Sequence, residues 1–404
     1  MQQSNDKAFR VIGTVFMVLS FIHLFFVVYL HAPSLFRKYD APVAEKKYSQ
    51  SQWQQSQNIS SDKVLDEWAI TNGYTGWKNY MDETVDQLKI KNLKLKIIQD
   101  IQNKGVSDSF LYSYVGYRYA QGADPSLLNP EHPPLAKLLI GTSILLFGSE
   151  HVVGIVIAFL TLILVGLISY SLKRSLFMSG VSMLVTSFFP LFTDQLINGP
   201  QLELYQLFFF LAVVFFITWG DKKHNLVFFL FAGVTLGLAL STKTLLPFLL
   251  LFSMWLLVSL RNRWKELIVI FLFGGMTFCL TYITYFQHGG TLRTFLGLQK
   301  YIVTYYGNAN IPYLEFAGNY LRLIFTGSWK FWDSARSVSA YSEWNMLWPL
   351  IFLVGMYGLR RQWMTRKETH LLVWFILLYN VFVFIIPVFP RYLLLLYIPL
   401  IILL

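Results

Sequence analysis

The chain has 404 residues, of which 55% are hydrophobic, 18% aromatic and only 14% charged. Soluble globular domains carry about 25% charged residues, so this composition excludes a chain that is mostly water-facing. The net charge of +11 is no pointer to nucleic acid, because the Lys and Arg residues sit in small groups between apolar runs, as the positive-inside rule arranges them on cytoplasmic loops.

The first ten residues carry Lys7 and Arg10 and lead into an apolar run over 11–30. A cleaved signal peptide has an apolar core of about 7–15 residues followed by a small-residue site. This run is longer and ends in Tyr29-Leu30-His31, so it reads as an uncleaved first transmembrane helix with its basic end inside. A long polar loop over 31–134 follows, which the topology then places outside. Its spacing at 85–90 and 93–101 is helical, which predicts juxtamembrane helices rather than a bare linker. Its acidic pair Asp66-Glu67 is remote from the motifs below and reads as a helix start, where carboxylates are favoured.

Further apolar runs fall at 135–147, 152–172, 176–193, 204–219, 226–242, 245–260, 266–286, 346–359, 370–389 and 391–404. Between them lie basic clusters at 173–174, 221–224, 261–265 and 360–367. The run at 135–147 makes a helix of about 20 Å, against a bilayer core of about 30 Å. It is therefore assigned to a juxtamembrane or re-entrant helix. All four basic clusters then fall inside, with about ten crossings at about 20 residues each. The expectation is an all-α polytopic membrane protein in a single transmembrane domain, 1–404, with outer loops at 31–134 and 287–345. The lone Cys279 cannot form an intrachain disulfide and reads as packing. The chain ends at Leu404 inside an apolar run without closing charges, which is compatible with a further C-terminal part.

This topology gathers the polar residues outside the basic clusters on one face: 194–203, Lys243, 288–343 and Arg391. Ionisable groups beside a membrane are costly and mark functional sites. The most concentrated signal is Asp108 with Gly116-Tyr117-Arg118-Tyr119, followed by Asn129-Pro130-Glu131-His132-Pro133-Pro134-Leu135-Ala136-Lys137. The prolines fix an extended turn before a helix and hold Glu131 and His132 stiffly at its start. A plain helix-capping turn is the competing reading. Lys243 and Arg391 are costly near the outer interface unless they meet an anion; snorkelling to the interface is their alternative.

Segment 108–137 resembles the first outer loop of the GT-C-type glycosyltransferases, in particular the protein mannosyltransferase and aminoarabinose-transferase relatives (glycosyltransferase family 39-like). That loop has an Asp-Glu pair, a Gly-Tyr-x-Tyr stretch and Asn-Pro-Glu-His-Pro-Pro-Leu-x-Lys. Here Ser109 replaces the Glu of the pair. Looser matches follow: Glu203 in the second outer loop before a Phe-rich helix, Gly237-Leu-Ala-Leu-Ser-Thr-Lys243, and Pro390-Arg391-Tyr392-Leu393. The resemblance implies a GT-C-like fold in an integral, multi-pass membrane protein. It implies inverting transfer of mannose, or a similar hexose or pentose, from a polyprenyl-phosphate donor to a hydroxyl of a protein, lipid or cell-envelope glycan. That transfer would take place on the extracytoplasmic face. Asp108 would be the general base, within a catalytic set of Asp108, Glu131, His132 and Glu203. Lys243, Arg391 and Lys137 would hold the donor phosphate. Glu131, His132 and Glu203 would position the acceptor or a metal, since one His with two carboxylates can hold a divalent cation.

No Gly-rich phosphate loop marks a nucleotide donor, and no nucleic acid partner is expected. Two other readings stand beside the enzyme. One is a transporter or flippase of lipid-linked sugars, which usually shows two related halves that this chain lacks. The other, kept open by Ser109, is a non-catalytic relative that only binds a lipid-linked sugar.

Overall fold

The computed structural model describes residues 2–49, 69–70, 75, 78, 107–243, 245–307, 313–330, 338–365 and 369–404. Asp66-Glu67 and the helical spacings at 85–90 and 93–101 lie outside the described residues. The described chain is mostly helical. It packs as two compact units, residues 1–38 with 116–404, and residues 39–115. In the smaller unit, α3 (Ala41–Ser49) meets the opening turns of α4 (Asp108–Ala120). There Tyr114 Oη donates to Glu45 at 2.8 Å, and the Tyr48 and Tyr114 rings stack at 4.2 Å.

The larger unit is built on α1 (Gln2–Leu30), followed by the short α2 (Ala32–Leu35). After α5 (Leu135–Phe147) come α6 (Val152–Lys173), α7 (Leu176–Phe188), α8 (Pro190–Ile197) and α9 (Leu202–Lys223). The next group is α10 (Leu226–Leu240), α11 (Leu245–Ser259), α12 (Trp264–Leu280), α13 (Ile283–Gln287) and α14 (Leu292–Gly307). The last helices are α15 (Asn319–Thr326), α16 (Leu347–Thr365), α17 (His370–Ile385) and α18 (Leu394–Leu403). Large apolar side chains stay exposed along α1, among them Val15, Ile22, Phe25 and Phe26, as expected where the neighbour is lipid rather than water.

Among the described residues, three helices are long and apolar enough to cross a bilayer: Lys7–Leu30, Val152–Lys173 and Leu202–Lys223. Counting the bent pair α7–α8 as one span makes four. The expected count of about ten is therefore not established. The shorter apolar helices, such as α10 with 15 residues and α17 with 16, fall below the roughly 20 a straight span needs. Local breaks shorten them. Pro190 cannot continue α7 and bends the chain by 53° into α8, and α10 stops at Leu240 to place the turn that carries Lys243. The all-α expectation also misses a small antiparallel ladder in the 287–345 loop, β1 (Ser328–Lys330) paired with β2 (Val338–Ala340).

Three basic clusters meet at one end of this helical unit. Lys222 Nζ donates to the Ser171 hydroxyl at 2.8 Å, joining the last turns of α9 and α6. Arg263 pairs with Asp221 and, at 3.0 Å, with Glu266. Glu203 sits in the first turn of α9, so the 22-residue helix sets about 30 Å between it and these clusters.

Close helix approach depends on glycine where α4 crosses α5. A Cβ on Gly141 would lie 1.8 Å from the Gly116 carbonyl oxygen. The obstacle is backbone and cannot swing aside. Gly141→Ala is expected to cost more than the roughly 1–3 kcal/mol of ordinary overpacking and to reduce the yield of monodisperse protein. Gly275→Ala, with nothing within 4 Å of its added Cβ, is expected to match wild type in size-exclusion chromatography; equal yields for the two variants would refute the packing argument.

Candidate active site

The site is organised around the start of α9. Glu203 is buried in its first turn, where the helix dipole favours a carboxylate. One Glu203 oxygen lies 2.5 Å from Lys243 Nζ and 2.9 Å from Arg391 Nε. Lys243 reaches it from the turn after α10. That turn is fixed by Ser241 Oγ donating to Gly237 O and Thr242 Oγ1 donating to Ala239 O. Its ammonium also sits 3.6 Å over the Tyr392 ring, a contact worth about 2 kcal/mol where water is excluded. Arg391 and Tyr392 belong to the 3-10 turn Pro390–Leu393. Tyr379 Oη of α17 holds that turn by donating to Tyr392 O at 2.7 Å. Arg391 Nη1 in addition donates to Gln201 Oε1 at 2.9 Å.

A second cluster forms at the start of α5. Lys137 is fully buried and donates to Asn129 O at 2.7 Å, Asn129 Oδ1 at 3.1 Å and His132 O at 2.8 Å. Three acceptors meet three N–H bonds, the coordination an ammonium needs. The Asn129 amide nitrogen donates to Glu131 Oε1. Asn129 has φ of +48°, a left-handed conformation that Asn tolerates better than most residues. The two clusters adjoin, because Leu135 N at the head of α5 donates to Ser241 O at the end of α10.

His132 lies between the clusters. Burial holds its imidazole well below the usual value, and the positive charges of Lys137, Lys243 and Arg391 lower it further. It is therefore neutral near pH 7. The unfolded chain takes up a proton near pH 6.5 while the folded one resists, so stability falls as pH drops below about 6.5. His132→Gln is expected to flatten this loss in thermal unfolding measured from pH 7 to pH 5; an unchanged slope would exclude His132 as its source.

Of the sequence-predicted residues, Glu131, His132, Lys137, Glu203, Lys243 and Arg391 come together in the larger unit. Asp108 is exposed and opens α4 in the smaller unit. Asp194, the other acid of the second outer loop, accepts from Asn198 and Gln195 instead of meeting the cations. The metal expectation has a poor set of donors. Glu203 is committed to two cations, Glu131 accepts from Asn129, and three positive charges act on His132. Among the described residues no group of three or more His, Cys, Asp or Glu is placed to hold a metal ion. Sequence reasoning passed over Gln201, Asn129 and Tyr392 as working parts. Asn129 and Tyr392 stood inside quoted motifs, whereas Gln201 carried no signal.

These features define a helical, integral, multi-pass membrane protein with a buried, cation-rich centre at one end of its bundle. Residues 131–286 match the family described as dolichyl-phosphate-mannose-protein mannosyltransferase. That match supports a membrane glycosyltransferase of the GT-C type, in agreement with the resemblance of segment 108–137. It includes Glu131, His132, Lys137, Glu203 and Lys243 and leaves Asp108 and Arg391 outside. No curated protein and no solved structure matches the chain.

Proposed function

We propose that this chain transfers a sugar, mannose or a similar hexose or pentose, from a polyprenyl-phosphate carrier to a hydroxyl acceptor on the extracytoplasmic side. The observation that carries this reading is the charge of the buried centre. Lys243 and Arg391 stand against the single carboxylate of Glu203, with His132 neutral, which leaves one positive charge in excess. A polyprenyl-phosphate sugar is a phosphodiester with one negative charge, so the charges balance when it binds. The charge deepens as the phosphate departs, and cations fixed where charge develops stabilise that step most.

In the proposed step the acceptor oxygen forms a bond to the anomeric carbon while the bond from that carbon to the phosphate oxygen breaks. The phosphate takes the electron pair, and Asp108 takes the acceptor proton. Lys243 and Arg391 receive the phosphate, with Lys137 holding the Glu131-His132 turn beside them. The basic clusters gathered at the opposite end of the helical unit favour a cytoplasmic position for that end and hence an outer position for the site. The test is transfer by the full chain in proteoliposomes supplied with polyprenyl-phosphate mannose and with protein, lipid and glycan acceptors that carry free hydroxyls. Labelled product and released polyprenyl phosphate are expected in equal amounts; neither product forming across hexose and pentose donors would defeat the reading.

A further inference from the structure

Gln201 carries no signal in the sequence, yet it stands where the chain turns into the helix that bears Glu203. Gly199 has φ of +96°, a backbone conformation that favours glycine, and Pro200 fixes the φ that follows. Together they deliver Gln201 to the N-cap of α9 in an extended conformation, with φ of −114° and ψ of 146°. An N-cap side chain ordinarily satisfies a backbone N–H of its own helix. Gln201 makes no such bond. Its Oε1 instead accepts from Arg391 Nη1 at 2.9 Å, across 190 residues of sequence.

Arg391 is thereby gripped by two residues of one helix start. Glu203 meets its Nε as an ion pair at 2.9 Å, and Gln201 takes Nη1. The Phe389 ring lies 5.2 Å from the guanidinium carbon. Contacts at two nitrogens fix a planar fork against rotation in its plane, and an aromatic ring beside it limits tilt. A long side chain held in this way has little left to order when an anion arrives.

The two grips differ in charge. Glu203 is shared with Lys243 at 2.5 Å and cancels one of the two positive charges. A carboxylate at position 201 would also hold Arg391, but it would cancel the other. A neutral amide oxygen orients the guanidinium and leaves that charge in place. We infer that Gln201 is a positioning residue for the donor phosphate, aiming Arg391 while leaving the centre one uncompensated positive charge. The inference rests on the donor reading above and adds the residue that sets the direction and the charge of the phosphate contact.

The experiment measures binding of farnesyl phosphate and of farnesol to the full chain in nanodiscs, for wild type, Gln201→Leu and Gln201→Glu. Farnesol has the same tail without the charge, so it reports damage that is not specific to the phosphate. Gln201→Leu removes the acceptor and is expected to weaken farnesyl phosphate binding about tenfold, the worth of one hydrogen bond to a charged group. Gln201→Glu keeps an acceptor of the same size facing Arg391 and is expected to weaken binding at least as much, because the centre then has no charge in excess. Farnesol binding is expected to stay at the wild-type level in both. Wild-type affinity for farnesyl phosphate in Gln201→Leu would overturn the positioning role. Affinity kept or raised in Gln201→Glu would show that alignment alone matters and would overturn the charge role. A parallel loss of farnesol binding would make Gln201 a structural residue only. Wild type binding farnesyl phosphate no better than farnesol would sink the donor reading, and this inference with it.

Discussion

Asp108→Asn is expected to lower turnover by roughly 10²–10⁴-fold, the usual range for loss of a general base, with donor binding largely kept. The substitution preserves size and hydrogen-bonding capacity and removes only the ability to accept a proton. Glu203 is buried and committed to Lys243 and Arg391. Glu131 is buried and accepts from Asn129. Asp108 is exposed in the first turn of α4 and is the carboxylate that the resemblance of segment 108–137 marks as the base. The measurement is single-turnover transfer alongside donor binding. Full transfer activity in Asp108→Asn would remove Asp108 from the role and return attention to Glu131 and Glu203.

Glu203→Ala is expected to cost about 3–5 kcal/mol of stability, the penalty for leaving buried charge without its partner. Both Lys243 and Arg391 point at the deleted oxygen, so the loss strands two cations in one buried centre. Lys243→Ala is expected to behave differently. Glu203 keeps Arg391 at 2.9 Å, so the fold survives, while donor binding weakens by about 1.5–3 kcal/mol for the lost charge-assisted contact. The double variant Glu203→Ala with Lys243→Ala should recover part of the stability lost by Glu203→Ala alone. Thermal unfolding of the three proteins checks this; a double variant no more stable than Glu203→Ala would show that the pair does not act as a unit.

Much of the molecule is legible in its sequence. Apolar run length announced a helical membrane protein, because a bilayer allows few ways to satisfy the backbone. The run at 135–147 foretold α5 residue for residue, since the prolines before it and Gly148 after it are local stop signals. Motif order picked out Asp108, Glu131, His132, Lys137, Glu203, Lys243 and Arg391, of which all but Asp108 lie in the larger unit. Alternation of basic clusters puts 173–174, 221–224, 261–265 and 360–367 on one side, and contacts join the 221–224 cluster to Ser171 beside 173–174 and to Arg263.

Partnerships between distant segments were decided only by tertiary structure. The sequence marks Lys243 and Arg391 as phosphate contacts, and nothing in either motif says that both close on one Glu203 oxygen, 40 and 188 residues away in sequence. The broken spans were equally hidden, because hydropathy counts apolar residues and does not register where Pro190 or the turn at 241–243 interrupts the hydrogen-bond ladder. The glycine crossing at Gly116 and Gly141 and the grip of Gln201 on Arg391 belong to the same class. Each is a matter of what one helix places against another. Hydropathy and local motifs report what a segment is made of, whereas a contact depends on where a second segment is held, and that is fixed only when the helices pack.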